Sequence, residues 1–439
     1  MTSTSVTSTA LLTDHYELTM LQAALHSGAA RRRCVFDVYA RRLPEGRRYG
    51  VVGGTGRLLD AVRDFRFRAA EIERLRAAEV VDSLTLDFLT GYRFTGNVSG
   101  YAEGECYFPG SPLLVVEGTF AESVVLETVL LSILNHDSAI ASAASRMTNA
   151  AGDRPCIEMG SRRTHEWAAV AAARAAYIAG FATTSNLEAG RTHGIPTAGT
   201  SSHAFTLVHD DERAAFEAQV ASLGPGTTLL VDTYDVTAAV DLAVQIAGVG
   251  LGAVRLDSGD LLVQAREVRA QLDALGAKDT RIIVTSDLDE YAIAALAAAP
   301  VSAYGIGTSL VTGSGAPTAG LIYKLVARED DAGQPAPVAK RSKDKASVGG
   351  RKWALRRLNA RGVAEAEVIG IGEMPANDGN DRPLLVDLMR DGEIIGDSAL
   401  ALGAARTRHE QSRAELPPRA LRLSRGEPAI PTIYEDDRE

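Results

Sequence analysis

Four short stretches gather the residues best suited to chemistry. In "GTSSHAF" (199–205), His203 follows Gly199 and the hydroxyl residues Thr200, Ser201 and Ser202. A zinc-type site would bring a second His or Cys three to five residues away, but the nearest histidines are His193 and His209. His203 is therefore either a loop histidine bonded within its own turn or a group placed there to react. "VRLDSGD" (254–260) sets Arg255, Asp257 and Asp260 close together. Arginine offers a planar fork to carboxylate or phosphate, and the acids can bond sugar hydroxyls or hold Mg²⁺ through water. An ion pair within the loop is the other reading. In "YGIGTS" (304–309), Gly305, Gly307 and Thr308 present unhindered N–H groups and a hydroxyl, which suits a phosphate. "EMGSRRTHEW" (158–167) adds Arg162 and Arg163 ahead of a helix. No G-x-x-x-x-G-K-[ST] occurs, and "VVGGTGRLLD" fails as a dinucleotide fingerprint because Leu59 stands where the third glycine belongs.

The elements that position these residues follow from the pattern around them. Between residues 227 and 310, the runs "TTLLVDTYD", "LGAVRLDSGD", "RIIVTSDLD" and "VSAYGIGTS" read as strands, the first three followed by Ala- and Leu-rich helical stretches. Such alternation means a parallel sheet. Each run ends in polar or glycine residues: Asp232 and Asp235, then Arg255, Asp257 and Asp260, then Ser286 and Asp287, then Gly305, Gly307 and Thr308. Strand ends opening onto one face, where ligands bind, favour a β/α barrel over residues 121–334 that carries the active site; a doubly wound sheet is the alternative. Before it, "YELTMLQAALHSG" has helical spacing with Gly28 as its stop, and "CVFDVYARRLP" alternates as a strand. Residues 91–120 read as several short strands, and two long helical stretches follow. The tail opens with a charged loop, "AREDDAGQPAPVAKRSKDKASVGGRKW", before further strand-like pieces. The expected architecture is α/β: the barrel plus a mixed α+β domain of residues 1–120 completed by 335–439.

Composition narrows the function. The 439 residues are 46% apolar and 23% charged, an ordinary globular balance. A net charge of −10 opposes a dedicated nucleic-acid binder. Basic islands such as "ARRLPEGRR" (40–48) suit a compact anionic ligand or a solvated surface. Three scattered cysteines indicate a reducing compartment, without a disulfide framework. The opening residues lack a signal-peptide pattern, and no stretch approaches the ~20 apolar residues of a membrane span. A soluble, cytoplasmic protein is expected.

Taken in order, "TDHYELTM" (13–20), "FDVYARRLPEGRRYGVVGG" (36–54), "EMGSRRTH" (158–165), "GTSSHAF", "VRLDSGDL" (254–261) and "YGIGTSLVTG" (304–313) resemble segments of the nicotinate phosphoribosyltransferases. The resemblance implies a type II phosphoribosyltransferase fold, with an irregular β/α barrel. It also implies condensation of nicotinate with 5-phosphoribosyl 1-diphosphate to nicotinate mononucleotide and diphosphate in NAD salvage, with ATP and Mg²⁺. On the matched positions, His203 would be phosphorylated by ATP within a motif that includes Thr200. Arg255 would contact nicotinate and Asp257 the ribosyl side, with Arg162 near pyridine and phosphates. Gly305, Gly307 and Thr308 would hold the 5-phosphate. Tyr16 would stack on the pyridine, usually from the partner subunit, which implies a homodimer with shared sites. Ser185, in "TTSNLEAG", stands where nicotinamide-using relatives carry an aspartate, so the acid is the expected substrate. "AKRSKDKASVGGRKW" matches only loosely, and Lys340, Lys345 and Lys352 receive no role. The competing readings are a nicotinamide- or quinolinate-using transferase, a non-catalytic nucleotide-sensing module on the same fold, and an aldolase-like barrel. The last lacks a strand-end lysine.

Overall fold

Strands from both ends of the chain pair into one antiparallel sheet. Arg33–Ala40 lies between Leu321–Glu329 and Leu114–Thr119, and the sheet continues through Asn97–Tyr101, Leu385–Arg390 and Glu393–Ile394. The computed structural model describes residues 8–340, 347–396 and 401–435. Its two compact units are Met1–Ser142 with Thr318–Glu439, and Ala143–Pro317.

In the first unit, the alternation of Arg33–Ala40 puts Phe36, Val38 and Ala40 in the core, and Phe36 stacks on Tyr323 with centroids 4.6 Å apart. The opposite face is covered too. Asp37 is fully buried and accepts from Lys352 Nζ at 2.6 Å. Lys352 also donates to the Val348 and Gly350 carbonyls, so its charge is used within the fold. Lys340 is exposed, and Lys345 lies outside the described residues. A second sheet joins Lys352–Leu358, Ala364–Ile371, Arg382–Pro383 and Thr432–Glu435. Helix His15–Ser27 ends at Gly28, whose φ of 79° is the left-handed stop expected of glycine.

All three cysteines are free and buried. Burial pushes the thiols up, to about 11 for Cys34 and about 12 for Cys106 and Cys156. We therefore expect an aromatic disulfide reagent at pH 8 to find no reactive thiol in the native protein and three after denaturation. A thiol reacting at the rate of free cysteine before unfolding would contradict that burial.

One expectation needs amending. Phe120–Ala151 contains a window of mean hydropathy 1.4, long and apolar enough to cross a membrane, and 61% of that window is buried within the protein. Its hydrophobicity serves the core.

The second unit is built on a parallel sheet in the order Thr183–Thr184, Cys156–Glu158, Ala303–Ile306, Arg281–Ser286, Ala253–Leu256, Thr228–Leu230. The four strands read from apolar runs are present. The first two escape sequence reading because, at two and three residues, they are too short to stand out as apolar runs. The ladder links the six strands side by side, and among the described residues no hydrogen bonds join its two edge strands into a closed barrel. Asp211, Asp235, Asp260 and Asp289 each accept from a backbone N–H of the helix they precede. Such caps stabilise a helix by about 1 kcal/mol each. Asp235 and Asp260, polar strand-end residues by sequence, are thus occupied as helix caps.

Candidate active site

Parallel strands deliver their C-terminal ends to one side of the sheet, and there the second unit has a cavity of about 430 Å³. Its walls include Arg162, Ser185, Thr200, Arg255 and Asp257, with Gly305, Gly307 and Thr308 from the end of the strand Ala303–Ile306. Arg255 is the best-fixed cation in it. Its Nη1 donates to Thr200 Oγ1 at 2.6 Å and to the Ser201 carbonyl at 2.9 Å. Its Nε is buried with no hydrogen-bond partner. A buried N–H left unpaired costs stability, so an incoming anion has a donor waiting.

Asp257 is held from both sides. Its N–H donates to Asp232 Oδ2 at 2.9 Å, and its Oδ1 accepts a short bond from Thr285 Oγ1. Asp232 Oδ1 is buried and unpartnered. His203 opens the short helix His203–Leu207; its Nδ1 lies 3.2 Å from Thr233 Oγ1 and its Nε2 3.8 Å from Asp257 Oδ2. Its side chain remains 40% exposed, leaving room for a group on the ring. Burial lowers the Arg255 pKa, against the pull of Asp257 and Asp232.

The glycines at the strand end are required by crowding. A Cβ on Gly305 would sit 2.5 Å from Thr285 Cγ2 and 2.8 Å from Met159 Sδ. The thioether can move, but the stiff threonine cannot do so without disturbing its bond to Asp257. Gly305→Ala should therefore cost ~1–3 kcal/mol of stability and lower turnover about tenfold. Urea unfolding and initial rates check both, and wild-type values in both would show the crowding to be harmless.

Residues 11–135 match the nicotinate phosphoribosyltransferase N-terminal domain. A nicotinate phosphoribosyltransferase of Mycobacterium tuberculosis is 59% identical over 431 residues, covering 96% of this chain and 94% of that protein. This chain belongs to the nicotinate phosphoribosyltransferase family. The human nicotinate phosphoribosyltransferase is 31% identical over 432 residues, covering 83% of this chain and 80% of that one. The crystal structure of human nicotinic acid phosphoribosyltransferase superposes with a TM-score of 0.83 at 26% identity, covering 97% and 98% of the two chains.

In this member of the family, most of the residues singled out by sequence meet at one cavity. His203 is not part of its wall but lies beside Asp257, which is. Tyr16 belongs to the first unit, on the helix His15–Ser27 and 42% exposed. Burial and the Glu127 carboxylate push its phenol above the ordinary range. Sequence reasoning passed over Thr233 and Thr285, which hold His203 and Asp257. Threonine near a strand end is too common to signal either. The first unit has a larger hollow of about 690 Å³, but its Lys352 and Arg419 are engaged by Asp37 and by the Ala429 carbonyl.

Proposed function

We propose that the chain joins nicotinate to 5-phosphoribosyl 1-diphosphate, giving nicotinate mononucleotide and diphosphate, and couples this to ATP hydrolysis through His203. The observation that carries the reading is the convergence of Arg255, Asp257 and a glycine-rich strand end on one cavity, with His203 in reach. The unpaired Arg255 Nε suits the carboxylate of nicotinate. Ser185 puts a neutral hydroxyl in the cavity wall at a position where a carboxylate would repel the acid, which favours nicotinate over nicotinamide. Gly307 and Thr308, at the start of the helix after the strand, offer N–H and O–H donors to the 5-phosphate, and Gly305 leaves room for it in the cavity wall. The pyridine nitrogen bonds to C1′ as the C1′–O bond to diphosphate breaks, the leaving oxygen keeping the electron pair. Asp257, fixed by Thr285 and Asp232, stabilises the positive charge that develops on the ribosyl ring.

With Nδ1 directed to Thr233, Nε2 is the His203 nitrogen left to accept the γ-phosphoryl group of ATP, the bond to the β-phosphate oxygen breaking as ADP leaves. Its later hydrolysis restores the imidazole and releases phosphate. The carboxylates of Asp232 and Asp257 would hold Mg²⁺, and the unpartnered Asp232 Oδ1 fits that use. Among the described residues no three such side chains converge as a metal cluster, so most ligands would be phosphate and water. Mg²⁺ would neutralise charge on the departing diphosphate.

We read the parallel sheet as part of an irregular barrel and the chain as a homodimer sharing active sites, with Tyr16 reaching the partner's pyridine. Supporting the dimer, Trp167, Leu187, Leu207 and Tyr234 are 61–76% exposed and each follows a site segment in sequence. Reduced, buried cysteines fit a cytoplasmic home.

The test is product formation from phosphoribosyl diphosphate and Mg²⁺ with nicotinate or nicotinamide, each with and without ATP. Nicotinate mononucleotide formed faster with ATP is expected. Turnover of nicotinamide alone would reassign the base, and binding without turnover would make this a sensing module.

A further inference from the structure

Glu158 ends the strand Cys156–Glu158 and is wholly buried, yet no cation pairs with it among the described residues. Its Oε1 accepts from the Gly160 N–H and its Oε2 from Thr184 Oγ1, both short bonds. Thr184 Oγ1 in turn accepts from the Asn186 N–H at 2.9 Å, and Asn186 Nδ2 donates to Ser161 Oγ at 3.0 Å. The backbone follows the same path. Ser185 N–H donates to the Glu158 carbonyl at 2.8 Å, and Ala198 N–H to the Thr184 carbonyl at 2.9 Å. One carboxylate thus ties together the loop bearing Arg162, the turn bearing Ser185 and the segment leading to Thr200. Burial pushes its pKa up, against the bonds from Thr184 and Gly160.

A buried carboxylate without a cation is costly, and an apolar side chain of similar volume would serve stability better. Gly160 leaves no slack either, since a Cβ there would lie 2.2 Å from Val311 Cγ1 and 3.2 Å from the Gly307 carbonyl. We infer that Glu158 is a positioning residue for the base subsite, setting the spacing between Arg162 and Ser185 without touching substrate itself. The inference rests on the proposal that Ser185 stands at the base end of the cavity and on the reading, implied by the resemblance, that Arg162 lies near the pyridine.

The experiment is steady-state kinetics of the full-length protein, varying nicotinate and phosphoribosyl diphosphate separately, in Glu158→Leu, Thr184→Val and Glu158→Gln. For Glu158→Leu the KM for nicotinate should rise about tenfold, with kcat and the KM for phosphoribosyl diphosphate within about threefold of wild type. Should that variant not fold, Thr184→Val keeps the Gly160 bond to Glu158 while removing the bond to Oε2 and the acceptor of the Asn186 N–H, and should raise the nicotinate KM severalfold. Glu158→Gln keeps an acceptor for Gly160 and a donor for Thr184 Oγ1, so it should restore most of the affinity. Folded variants with a wild-type nicotinate KM, loss spread equally over both substrates, or no rescue by glutamine would each overturn the inference. Failure of the wild type to use nicotinate would instead overturn the proposed function.

Discussion

His203→Ala should abolish ATP-linked turnover and leave a slow, ATP-independent condensation. Loss of a group that accepts the reacting phosphoryl is worth on the order of 10²–10⁴-fold in rate. The residual activity follows from the geometry. Arg255 is anchored by Thr200 and Ser201, and Asp257 by Thr285 and Asp232, so neither depends on the imidazole. The contacts proposed for base and ribose should therefore survive the substitution, while the proposed coupling to ATP should not. The measurement is nicotinate mononucleotide formed and ATP consumed, in the same reaction, for wild type and variant. Normal ATP hydrolysis by His203→Ala would remove the phosphohistidine from the mechanism.

The largest effect on stability should come from the first unit. Arg356 is fully buried, with Nη1 3.0 Å from Glu105 Oε1 and Nη2 2.5 Å from Glu367 Oε1 and 2.7 Å from the Cys106 carbonyl. Burial pushes the Glu105 carboxyl up, but Arg356 and Arg382 hold it below its ordinary range. Burial raises Glu367 despite the pull of Arg356. Arg356→Ala leaves Glu367 without a cation and Glu105 with Arg382 alone, and should destabilise the fold by ~3–5 kcal/mol. The deficit should shrink as pH falls. A carboxyl whose folded pKa stands above its unfolded one takes up its proton first in the fold, so acid then favours the fold. Urea unfolding at pH 7.5 and pH 5.5 would show both effects. A loss below about 1 kcal/mol, or one that grows in acid, would mean the cluster relaxes around the gap.

By itself, the sequence marked four of the six strands of the parallel sheet and most of the residues that line the cavity. Apolar runs closing in Asp257 or in Gly305 and Gly307 are local signals, because a strand end and its turn occupy neighbouring residues. The alternation of Phe36, Val38 and Ala40 likewise marks a buried face without any partner in view. Tertiary structure decided which polar residues were available for chemistry. Asp260 and Asp257 are three residues apart in one motif, yet one caps a helix and the other lines the cavity. The helix start uses one carboxylate locally, whereas the other is fixed by Thr285 and Asp232 from neighbouring strand ends. Glu158 and Thr184, and His203 and Thr233, lie 26 and 30 residues apart. Asp37 and Lys352 lie 315 apart and share a buried bond. No spacing rule joins such pairs, since they meet only when parallel strands are laid side by side or when a second sheet, built from the far end of the chain, comes against the first.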